Sequence, residues 1–226
     1  MAVSPSITGI CMSMRIRSKA WASAAATAER ALAASKRADA QMRALDASKT
    51  AMQLTESALG DAGELVAQAR DLLVSAGNGS YTDSERKTIA DAIRGLRQDL
   101  LAVSNRKDGA GRYLFGGQGS AGHPLVDGPT GVTYAGSAGQ SQAAAGESSP
   151  LTMNGQAIWL QAPDPANPGS TLSLFDAMDQ VVGELQTPGR TPAQIAQTVG
   201  PHATVVELGS GADQARRKAT RSVSMT

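Results

Sequence analysis

The feature that most limits what this chain can fold into is a seven-residue repeat. Leu45, Met52, Leu59, Val66 and Leu73 are spaced by seven throughout, and Ser48, Thr55, Ala62, Ala69 and Ala76 fall three residues after each. Large and small side chains alternate along one seam, so a second helix can approach closely. Five heptads make about 50 Å of helix at 1.5 Å per residue, long for a compact domain.

The partner helix follows directly. Thr82 and Glu85 have the spacing of a capping box, which predicts a helix start. Ile89, Ile93, Leu96, Leu100 and Val103 then recur at steps of four, three, four and three, a single helical stripe. Asp108-Gly109 and Gly111 are placed to supply the positive-φ residues of an exit, and Tyr113, Leu114 and Phe115 follow as an apolar anchor. Gly77, Asn78 and Gly79 separate the two helices, and so short a connection predicts an antiparallel pair.

Composition agrees with a shared core rather than a large close-packed one: the 226 residues are 3% aromatic and include 24 glycines. The formal charge of +1 does not suggest a nucleic-acid binder. No apolar run approaches the roughly 20 residues that cross a bilayer, so membrane insertion is not expected. The one cysteine, Cys11, admits no intrachain disulfide, and the amino end lacks the features of a cleavable secretory signal.

Taken in order, residues 1–37 are expected to be flexible or helical. The first 20 or so lack firm periodicity, and the alanine-rich stretch after Trp21 permits helix. Basic residues Arg15, Arg17, Lys19, Arg30, Lys36, Arg37 and Arg43 outnumber Glu29 and Asp39 there, which is either a solvated helix face or a docking face for an acidic partner. Residues 38–115 and 171–205 form the expected helical core. From Gly116 to about residue 170 Gly, Pro and Ser become dense, and Gly131–Tyr134, Leu151–Asn154 and Ala157–Leu160 are expected as small strands, with Asn154-Gly155 as a hairpin turn. No lysine or arginine occurs between Arg112 and Arg190, while six acidic residues do. This composition marks a β-rich insertion, expected as a small outer domain. Phe175, Met178, Val182 and Leu185 restore helical spacing, Thr191 and Pro192 offer a new helix start, Gly200-Pro201 is expected to interrupt it, and 206–226 is expected to be a frayed tail. The fold class is therefore mainly α, a long antiparallel helical hairpin or bundle with a β-rich insertion.

His123 and His202, the only histidines, lack metal or triad spacing and are expected in loops, and Asp176 and Asp179 are expected on a solvated helix face. No nucleophile, base and oxyanion site assemble. Catalytic, cofactor and metal residues are accordingly not assigned, and no enzyme activity is expected.

The run SERKTIADAIRGLRQDLLAVSNRKDGAGRYLFGG, residues 84–117, resembles the flagellin and hook-associated family of bacterial flagellar axial proteins. The positions that carry the likeness are Arg86, Ile89 and Ala90 at the helix opening, Asn105, Gly109 and Gly111 at its end, and Tyr113, Leu114, Phe115, Gly116 and Gly117 at the exit; Thr55 to Leu59 extends it upstream. The resemblance implies a structural subunit at the junction between hook and filament, packing through its helices on neighbours and exported to the extracellular flagellum without a cleaved signal peptide. Implied partners are other hook-associated proteins, flagellin and an export chaperone. The alternative is a cytoplasmic coiled-coil adaptor whose basic ends dock an acidic protein.

Overall fold

A computed structural model describes residues 7–77, 81–143, 150–164, 167 and 169–204, with side chains described at Trp21 and from Ser23 onward. Helix α1 spans Ile7–Ala76 and α2 spans Asp83–Ser104. Strands β1 (Leu125–Gly128) and β2 (Gly131–Tyr134) pair antiparallel, with Leu125 opposite Tyr134 and Gly128 opposite Gly131. The short helix α3 (Gly155–Trp159) precedes a second antiparallel pair, β3 (Ala162–Pro163) and β4 (Thr171–Leu172). Helix α4 (Leu174–Gln186) and a last helix, α5 (192–204), complete the described chain.

The capping box forms as its residues demand: the Glu85 amide donates to Thr82 Oγ1 at 3.3 Å and the Thr82 amide donates to Glu85 Oε2 at 2.8 Å. The two long helices run in opposite directions. Ser75 meets Tyr81 through their hydroxyls at 3.0 Å near the turn, while Arg106, just past the far end of α2, reaches Asp61 at 2.7 Å. Along α1 the small series Ser48, Thr55, Ala62, Ala69 and Ala76 is buried throughout, with Ala51, Ala58, Leu59, Val66 and Leu73. Met52 is half-buried. The seam starts at Ser48, whose Oγ donates to Pro150 O at 2.7 Å, rather than at Leu45, which is 48% exposed.

On α2 the deepest line is Arg86, Ala90, Ile93, Arg97, Leu100 and Ser104. Of the expected stripe, Ile93 and Leu100 lie on this line, while Ile89, Leu96 and Val103 are partly buried beside it. The line is displaced because α2 packs on two helices, α1 and α4, and the face between the two partners is deepest. Helix α4 fills that second side with Leu174, Phe175, Ala177, Met178, Val181, Val182 and Leu185. Leu114, Phe115, Leu125, Val132 and Trp159 join the same apolar cluster as Leu59, Ile93 and Phe175, so the insertion is rooted in the helical core and does not stand apart from it.

Several local expectations need correction. Residues 155–159 are helical, not a strand, because the Asn154 side-chain oxygen accepts from the Gln156 amide and caps a turn where a hairpin was expected. Helix α1 begins at Ile7, within the stretch 1–37 expected to be flexible or helical. Helix α5 starts at a Thr191–Gln194 capping pair and continues through Gly200-Pro201, held by buried Ile195 and Val199. His202 therefore sits on a helix, not in a loop. The expected frayed tail, 206–226, and Asn78-Gly79 lie outside the described residues.

Candidate functional site

The run 84–117 builds the junction between the hairpin and the insertion. Arg86, buried, donates from Nη1 to Tyr81 O at 3.0 Å and pairs with Asp83, which locks the turn between α1 and α2. Asn105 ends α2 and reads the backbone of Leu125 from both sides: Nδ2 donates to Leu125 O at 2.8 Å, and the Leu125 amide donates to Oδ1 at 3.0 Å. A side chain thus stands in for one rung of a sheet. Asp108 gathers the amides of Ala110 and Arg112 and the Arg112 guanidinium, closing the exit loop. Gly111, at φ 81°, supplies the left-handed residue of that loop; Gly109 does not, and open space surrounds it.

Beyond the loop, Tyr113 lies under the Lys107 ammonium at 4.6 Å and beside His123 at 5.6 Å. Leu114 is buried and bonded through its backbone to Arg106 and Met153. Phe115 meets Trp159 edge-on at 5.2 Å between ring centres. Gly116 and Gly117 let the chain pass between Tyr113 and the 137 loop, and a Cβ on Gly117 would lie 1.8 Å from Ser137 O at a φ of +65°. Gly117→Ala is therefore expected to cost about 3 kcal/mol or more, whereas Gly109→Ala should change stability by less than about 0.5 kcal/mol. Urea denaturation of the two variants checks the contrast.

The charged centre of the molecule is Arg97. Its Nη1 and Nη2 donate to Asp127 Oδ2 and Oδ1 at 2.7 and 2.9 Å, and its Nε lies 2.7 Å from Asp179 Oδ1. The guanidinium also lies 5.8 Å from the Phe175 ring centre. One side chain from α2 thereby ties β1 to α4. Arg97 holds the Asp127 carboxyl below the usual carboxylate range by hydrogen bonding, and that same bond raises the value of Arg97 itself. Burial, and then the neighbouring Asp179, push the Asp176 carboxyl upward. Asp179 is exposed, as expected of a solvated face, whereas Asp176 is half-buried. With both Nη nitrogens hydrogen-bonded to Asp127, and Nε in ion-pair contact with Asp179 but outside hydrogen-bond geometry, Arg97 acts as a brace.

The sequence contained a signal for this brace that periodicity alone did not use. Arg97 falls on the same three-four rhythm as Ala90, Ile93, Leu100 and Ser104, so a cation had to be buried there, and the basic-free stretch 113–189 holds carboxylates that need one.

The amino-terminal part of α1 has a different character. From Trp21 to Ala47 no described side chain is buried, yet Trp21, Leu32 (58% exposed) and Met42 (64% exposed), with Leu54 (38% exposed) beyond that stretch, are large and apolar. At about 100° per residue these four fall within about 120° of one another, on the side of the helix away from Ser48, Thr55 and Ala62. Helix α1 thus carries two faces, one filled by its own hairpin and one open. Among the described residues no group of His, Cys, Asp and Glu could hold a metal ion, and no helix is long and apolar enough to cross a membrane.

Residues 15–120 match the family model of the bacterial flagellin N-terminal helical region. More particularly, the chain is similar to flagellar hook-associated protein 3. The Salmonella typhimurium protein is 29% identical over 139 residues, covering 59% of this chain and 44% of the relative, and the Escherichia coli protein is 28% identical over 138 residues with the same coverage. The chain thus spans less than half the length of these curated relatives. Among solved structures, FlgL of Xanthomonas campestris shares the fold at a TM-score of 0.72 and 19% identity, covering 85% of this chain and 92% of that one. The flagellar junction protein FlgL of Legionella pneumophila does so at 0.67 and 15%, covering 80% and 92%. The resemblance read from residues 84–117 and the mainly α fold class are both borne out.

Proposed function

We propose that this chain is a structural subunit of the bacterial flagellum, placed at the junction between hook and filament and held there by packing α1 against neighbouring subunits. The observation that carries the reading is the open apolar face of Trp21, Leu32, Met42 and Leu54 on a helix that its own hairpin does not cover there. The matched relatives bear the name of flagellar hook-associated proteins, and a solved neighbour that of a flagellar junction protein, which supports the same placement. The residues of the hairpin seam, Ser48 to Ala76 on α1 and Ile89 to Val103 on α2, set the spacing of the helices presented to those neighbours. Export to the cell exterior without a cleaved signal peptide, and contact with other hook-associated proteins, flagellin and an export chaperone, belong to this reading.

The double variant Leu32→Asp, Met42→Asp tests it. Both side chains are exposed, so thermal stability should stay within about 2 °C of the parent, while incorporation into flagella, scored by immunogold labelling at the hook–filament junction, should be lost. Undiminished junction labelling of the variant would remove α1 from the assembly interface. Absence of the parent protein from flagella, with retention in the cytosol on an acidic partner, would favour the adaptor reading through Arg30, Lys36, Arg37 and Arg43.

A further inference from the structure

The Arg97 brace has a third carboxylate in its neighbourhood that takes none of the guanidinium's hydrogen bonds. Asp176 stands in the first turn of α4, half-buried, with its carboxylate pressed against the positive-φ Gly131 at the tip of the β1–β2 hairpin; a Cβ built there would lie 2.5 Å from Asp176 Oδ1. The charged groups that face it are Arg97 from α2, Asp127 from β1 and Asp179 from its own helix. From β2 no ionised group is added: Gly131–Tyr134 reads GVTY, and the Tyr134 hydroxyl donates to Phe115 O at 3.2 Å. One guanidinium against three carboxylates leaves +1 − 3 = −2 at this contact when all are ionised, with Asp127 taking both Nη donors and Asp179 lying 2.7 Å from Nε.

We propose that Asp176 is a proton-operated latch between α4 and the β1–β2 hairpin: protonation tightens the contact and ionisation loosens it, while Asp127 and Arg97 keep the two elements engaged. Its place in the first helical turn favours the ionised form, but half-burial and two carboxylate neighbours oppose it. Burial is the larger cause and carries the carboxyl above its ordinary value.

The sign of the effect follows for each group. A carboxyl raised in the folded state makes folding more favourable as pH falls through its folded value, and the gain is complete below the unfolded value of about 3.9. Asp127, lowered, does the reverse: its contribution is full above the unfolded value and is lost as pH falls through its own folded value. For these two groups, stability rises as pH falls from neutrality through the folded value of Asp176 and is lost again below the unfolded value as Asp127 takes up its proton.

Thermal unfolding of the full chain between pH 3 and 7, with Asp176→Asn alongside, tests the proposal. Asp176→Asn should raise Tm at pH 7 by about 2–4 °C and remove the gain that the parent shows as pH falls through the folded value of Asp176. An Asp176→Asn variant no more stable than the parent at pH 7 would overturn the latch. As a check that needs no substitution, the Asp176 carboxyl carbon should titrate by NMR with a midpoint above about 3.9, and a midpoint at or below that value would overturn it as well.

Discussion

Leu59→Asp is expected to remove about 4 kcal/mol or more of stability and to leave little folded protein at 37 °C. Leu59 is buried between neighbours that offer the seam only apolar or small side chains, Ala58, Ala62 and Val66 among them, so an introduced carboxylate would find no hydrogen-bond donor in place of water. The control is Gln68→Asp on the same helix, at an exposed position, where the change should stay within about 0.5 kcal/mol. Leu96→Asp should fall between them, since Leu96 is only partly buried. Far-ultraviolet circular dichroism during urea titration reads all three, and equal losses at positions 59 and 68 would contradict the seam.

The second large effect is expected at Arg97. Arg97→Ala removes the cation from a brace that joins α2, β1 and α4, leaves Asp127 and Asp179 facing each other unpaired, and deletes the stem beside Phe175. The two carboxylates are 43% and 44% exposed and recover part of their hydration, which brings the expected loss to about 2–3 kcal/mol, below that of a fully enclosed pair. Because the guanidinium itself is buried, 1 M salt should change the parent's stability little through this contact. Adding Asp127→Asn and Asp179→Asn to Arg97→Met should restore most of the loss. A single Arg97→Ala variant within about 0.5 kcal/mol of the parent in urea would show that the brace contributes nothing.

What could be read from the sequence was what local chemistry decides. The Thr82 cap, the α1 seam from Ser48 to Ala76, the β2 strand at Gly131–Tyr134 and the start of α5 at Thr191 each follow from residues within one or two turns of one another. The features that escaped depend on partners far away in the chain. Residues 157–160 are bounded like a strand, but the Asn154 cap and the Phe115 ring against Trp159 draw them into helix α3. Leu45 keeps the heptad spacing, yet nothing in a repeat says where the partner helix stops. Arg97 was visible as a charge on a buried line, but its two acids lie 30 and 82 residues further on, at positions that no periodicity links to it. In the junction run, Asn105 shows the same limit: the residue marks a helix end, and only the fold reveals that it reads Leu125.

The position of α4 sets an order of assembly. The α1–α2 turn closes a loop of only a few residues, from Gly77 to Thr82, whereas α4 must return to α2 across the whole stretch from Asn105 to Ser173. Loop-closure entropy makes the second event about 2 kcal/mol costlier, so the hairpin zips first and α4 docks last. Phe175 and Val181 are thus the closing contacts of the folding reaction: substitutions there act mainly on how fast the molecule opens, and those at Leu59 on how fast it forms.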